Sequence, residues 1–154
     1  FGGAASDEDV QAVARQIRAA CIEHGFMYVS GHGVDEVPKF FNAAKQLFAL
    51  PKDVKQRLDA KHSGTGRGYN SVETGQHSCT PESGEQDLKE SFTVGMERKP
   101  GDTRAPSAMH GPNPWPSEAE LPGFVETTES YMEALRRTGL ALMRGLALSL
   151  NVSE

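Results

Sequence analysis

Gly25-Phe26-Met27-Tyr28-Val29-Ser30-Gly31-His32-Gly33-Val34 is the stretch on which the fold turns. Its residues alternate as a strand does, with Phe26, Tyr28 and Ser30 on one face and Met27 and Val29 on the other. Both faces are largely apolar, so the reading is a strand covered on both sides. Glycines stop it at either end. A helical pattern lies before it and another after it, which makes the class α/β (α+β).

Working outward, Ser6 followed by Asp9 has the spacing of a capping box. Val10, Val13, Ala14, Ile17, Cys21 and His24 then recur at helical spacing, and Gly25 supplies a stop. On this stripe Cys21 reads as a buried packing residue, not a nucleophile. On the other side, Asp35 fits an N-cap. Val37, Phe40, Phe41, Ala44, Leu47 and Phe48 form a second stripe, broken after Leu50 by Pro51, which opens a short third helix through Lys52, Asp53, Val54 and Leu58. From Lys61 to Gln86 periodicity is lost, and the segment reads as a loop. Leu88 to Val94 alternates as a second strand, with Glu90 on the apolar face and therefore in need of a polar partner. Gly95 to Pro116 is rich in Gly and Pro. Ser117 with Glu120 caps a short turn. A long helix starts at Pro122 and becomes apolar almost all round from Leu140 to Leu150, with Gly139 and Gly145 allowing close backbone approach.

Bulk composition sets limits. The chain has 154 residues, 37% hydrophobic and 24% charged, with a formal net charge of −5. That suits one soluble domain. No clustered Lys and Arg mark a nucleic-acid surface, so nucleic acid is not an expected partner. The most apolar run is shorter than the ~18 residues a membrane span needs, so no membrane is expected either. Two cysteines imply no disulfide framework, and a cytoplasmic, reducing compartment is the expectation. Phe1 in place of Met, and a helical pattern running almost to Glu154, read as a piece of a longer protein.

The candidate sites are few. A facial triad for non-haem iron needs two His and a carboxylate. None of His24, His32, His62, His77 or His110 has Asp or Glu two positions on, and His77-Ser78-Cys79 has no partner spacing. Gly64-Thr65-Gly66-Arg67-Gly68 has the glycines of an anion-binding loop but lacks the Lys-Ser/Thr pair of a nucleotide loop. It reads as a loop presenting Arg67, able to hold a carboxylate, and Tyr69, with a ring and a hydroxyl. The alternative is that both pack the loop down. Lys89 and Glu90 point to opposite faces of their strand, which favours a structural salt link over catalysis.

Several of these pieces are familiar together. Gly25 to Val34, Phe48-Ala49-Leu50-Pro51-Lys52-Asp53-Val54-Lys55, Arg67-Gly68-Tyr69, Asp87-Leu88-Lys89-Glu90-Ser91-Phe92 and Gly111-Pro112-Asn113-Pro114-Trp115-Pro116 occur in this order. In order and spacing they resemble the isopenicillin N synthase-like iron(II)/2-oxoglutarate-dependent dioxygenases. The resemblance implies that residues 1–154 are the amino-terminal helical region of such an enzyme, with a few strands. That region normally joins a double-stranded β-helix (jelly-roll) core, which is absent from this chain. It implies Fe(II) and 2-oxoglutarate as cofactors of the whole enzyme and a small-molecule substrate that is hydroxylated, desaturated or cyclised. The family's His-x-Asp, distal His and Arg-x-Ser match no position here. No catalytic, metal or cosubstrate ligand is therefore carried over, and the fragment alone is expected to bind neither cofactor and to be inactive. What does carry over is the loop at Arg67, Tyr69 and Ser71 as substrate-binding. Two other readings stay open. One is a non-catalytic module gripping an anion through Arg67; the other is a synthase of the same family that uses iron and oxygen without 2-oxoglutarate. With the core absent, apolar surface is expected to lie exposed around Phe26 to Val29 and Leu140 to Leu150, and His32 is read as part of the turn that ends the strand.

Overall fold

A computed structural model describes residues 6–72, 89–97 and 111–150. His77, Cys79, Asp87, Leu88 and His110, named above, lie outside the described residues. The architecture is mixed. Helices α1 (Asp7–Glu23), α2 (Val37–Ala49) and α3 (Lys52–Arg57) precede a 3-10 turn at Ala60–His62. Strands β1 (Gly68–Asn70) and β2 (Ser91–Thr93) follow, then α4 (Phe124–Ser149). No helix among the described residues is long and apolar enough to cross a membrane.

The chain divides into two compact units, Phe1–Pro38 with Glu129–Glu154, and Lys39–Thr128. In the first, α1 begins as its sequence dictates. Ser6 Oγ accepts from the Asp9 amide at 3.2 Å, and the Ser6 amide donates to Asp9 Oδ2 at 3.1 Å. Each bond satisfies a backbone donor that would otherwise lack a partner at a helix start. The helix ends where Gly25 takes φ 75° and its amide reaches the Ala20 carbonyl at 3.1 Å. Ala14 and Ile17 are its buried residues. Gly145 of α4 lies against Ile17: a Cβ there would fall 2.6 Å from Ile17 Cδ1. Arg18 adds a bond to the Ser149 carbonyl at 2.9 Å. Gly139 plays no such part, since its missing Cβ faces open space.

Two further expectations fail in this unit. Cys21 is exposed, not buried. The α1 stripe is covered at Ala14 and Ile17 but open at Val13, Cys21 and His24. The second failure is the opening stretch. Residues 26–30 belong to no strand, because no ladder partner exists for them among the described residues. Alternating apolar residues prepare a segment for a sheet, but only a neighbour with free amides and carbonyls makes it a strand. Val34 is buried, and its amide donates to His32 Nδ1 at 3.0 Å. His32 thus ties down the backbone at Val34, but it ends no strand, since residues 26–30 form none.

In the second unit, Leu47, Leu58, Tyr69, Leu121 and Phe124 form the core, with Phe48, Leu50, Phe92 and Trp115 packed against it. Phe124 meets Phe92 and Trp115 edge-on, with centroids 6.1 and 6.0 Å apart. Ser117 and Glu120 form the expected cap, with the Ser117 amide and hydroxyl donating to Glu120 Oε2 at 3.0 and 2.8 Å. The long helix starts at Phe124, two residues after Pro122, because Gly123 takes φ 67° and interrupts the turn before it. The strand expected over residues 88–94 is limited to Ser91–Thr93. Its partner, Gly68–Asn70, lies in the stretch read as a loop.

Candidate functional site

The site is built on the short antiparallel pair. Gly68 faces Thr93, Tyr69 faces Phe92 and Asn70 faces Ser91. Gly68 is the entry point. It has φ 121°, and a Cβ there would lie 2.3 Å from the Leu58 carbonyl oxygen and 2.8 Å from Pro114 Cγ. With no side chain in the way, the Tyr69 amide reaches that same Leu58 carbonyl at 2.8 Å. Arg67 and Tyr69, two residues apart, are both buried.

Tyr69 serves one polar cluster. Its hydroxyl donates to Glu90 Oε2 at 2.6 Å, and Lys55 Nζ donates to the same oxygen at 2.8 Å. Lys55 also donates to the Phe48 carbonyl at 2.8 Å and lies 5.3 Å from the Tyr69 ring centroid. The hydrogen bond from Lys55, then that from Tyr69, hold the Glu90 carboxyl below the ordinary glutamate range. Glu90 thus has the polar partners its place on an apolar face requires, and it is an anion at neutral pH.

Arg67 serves a second cluster. Its guanidinium donates to the carbonyls of Gly95 and Met96, each at 3.4 Å, to Asn113 Oδ1 at 3.3 Å and to the Gly111 carbonyl. Asn113 adds a reciprocal pair: its Nδ2 donates to the Gly95 carbonyl at 2.8 Å, while its Oδ1 accepts the Gly95 amide at 2.9 Å. Glu97 Oε1 receives the Asn113 amide at 2.8 Å and Trp115 Nε1 at 2.9 Å. Residues 95–97 are thereby fastened to residues 111–115.

Of the three residues read as substrate-binding, the structure places Arg67 and Tyr69 at the antiparallel pair. Ser71 follows β1 and is half-buried. Reading for sites missed Lys55, Glu97 and Asn113. The signal for Asn113 was present: an amide side chain between two prolines has a fixed backbone and two functions to satisfy. Among the described residues, no three His, Cys, Asp or Glu side chains converge as a metal site. They do not fit a facial triad, and no step through iron is assigned to them. What the arrangement does is fix two segments of chain on one short sheet.

The chain is 33% identical over 150 residues to kihadalactone A synthase LFS of Citrus sinensis, covering 96% of this chain and 44% of that protein. It is 36% identical over 149 residues to the 2-oxoglutarate-dependent dioxygenase traH of Penicillium crustosum, covering 94% and 44%. The 2-oxoglutarate-dependent dioxygenase caaD of Aspergillus niger is 37% identical over 144 residues, covering 91% and 42%. The chain thus spans under half the length of these curated relatives. No solved structure matches it. Residues 1–118 match the family described as non-haem dioxygenase in morphine synthesis N-terminal, and the chain belongs to that family.

Proposed function

We propose that the chain is the amino-terminal part of an Fe(II)- and 2-oxoglutarate-dependent dioxygenase acting on a small organic substrate. The observation that carries this is similarity along 94% and 91% of the chain to two proteins named 2-oxoglutarate-dependent dioxygenase. In the whole enzyme, iron and 2-oxoglutarate would supply an oxidant for an unactivated C–H bond. The product would be hydroxylated, desaturated or cyclised. The metal and cosubstrate ligands would come from outside these 154 residues. This chain would contribute scaffold and one border of the substrate site. There the segment around Arg67, Tyr69 and Ser71 meets the substrate, with the two polar clusters fixing its base. A free, exposed thiol at Cys21 suits a reducing, cytoplasmic setting.

The test uses a full-length protein containing this chain. With Fe(II), 2-oxoglutarate and a panel of small organic compounds, succinate release should rise with at least one of them. Oxygen-dependent turnover without any 2-oxoglutarate requirement would overturn the cosubstrate assignment. Replacing Ser71 with a larger residue should change which compounds are accepted. An unchanged range would remove the segment from the substrate site.

The fold has a further part in this reading. Phe26, Tyr28 and Val29 are 71, 99 and 41% exposed, and Leu140, Met143 and Leu150 are 56, 63 and 63% exposed. In the whole protein these apolar groups would pack against the jelly-roll core.

A further inference from the structure

We draw no further inference here: the strongest candidate, the half-buried cluster of Lys55, Tyr69 and Glu90 between α3 and the two strands, belongs to the site already described.

Discussion

At the scale of single residues, Glu90 concentrates the most chemistry. One carboxylate oxygen takes both the Lys55 ammonium and the Tyr69 hydroxyl. Its folded carboxyl is depressed, so its contribution to stability is complete above the ordinary glutamate value of ~4.3 and is lost as pH falls through the lower, folded value. Chemical denaturation between neutral and acidic pH should show this loss, and Glu90→Gln should flatten it while keeping an acceptor for Tyr69. An unchanged pH slope in that variant would show that Glu90 is not the group responsible. Glu90→Ala also leaves the Lys55 ammonium short of its anion, and its side chain is only 13% exposed. About 1–3 kcal/mol of stability should be lost. Gly95 allows a sharper test, because its missing Cβ would stand 2.4 Å from Arg67 Nη2 and 2.6 Å from Cζ. A long arginine can normally swing aside, but this one is buried and bonded to carbonyls on both segments. Gly95→Ala should therefore break those bonds and cost roughly 1–3 kcal/mol. Gly139→Ala, whose Cβ meets open space within α4, should instead stabilise by up to about 1 kcal/mol. Equal effects of the two alanines in thermal unfolding would refute the fastening role of Arg67.

At the scale of elements, what was legible followed from how local each element's cause is. The start of α1 is written in Ser6 and Asp9, and Ser6→Ala should destabilise the chain by about 0.5–2 kcal/mol. A midpoint that does not move in urea unfolding would mean the first turn frays regardless of its cap. Helices could be read because their hydrogen bonds close within the segment. The cap at Ser117 and Glu120 was readable for the same reason. The strands were legible only in part: β2 falls inside the alternating stretch 88–94, whereas β1 needs a second segment that periodicity does not identify. Tyr69 sits in a three-residue strand, too short to show alternation, and it is built from what reads as a glycine loop. Residues 26–30 fail in the opposite sense: they alternate well and pair with nothing among the described residues. The candidate site shows the same division. Arg67 and Tyr69 stood out by chemistry and Asn113 carried a signal in its place between two prolines, whereas Lys55 matters only because folding brings it beside Glu90.

At the scale of the molecule, the distribution of apolar surface bears most directly on the energetics. A chain that leaves Phe26, Tyr28, Leu140, Met143 and Leu150 more than half exposed gives up stabilisation that burial would supply. A fully buried side chain of this size is worth about 1.5–3 kcal/mol. Scattered exposed hydrophobics are ordinary, but here they fall on a segment that pairs with no strand among the described residues and on the last half of α4 and the residue after it. If a larger sheet covers them in the whole protein, the same substitutions must act oppositely in two contexts. In the 154-residue chain, Phe26→Ser, Leu140→Gln and Met143→Gln remove little native packing, so they should leave thermal stability within about 0.5 kcal/mol. They should also reduce self-association in sedimentation and lower the binding of a hydrophobic dye. In a full-length protein each should cost about 2–4 kcal/mol, because the same positions would then be buried. Substitutions equally harmless in both contexts would mean that nothing packs on this surface. Substitutions equally damaging in both would mean that the short chain already buries it, for instance by pairing with a second copy. The contrast between the two lengths, not either measurement alone, decides whether residues 26–30 are an edge awaiting a sheet.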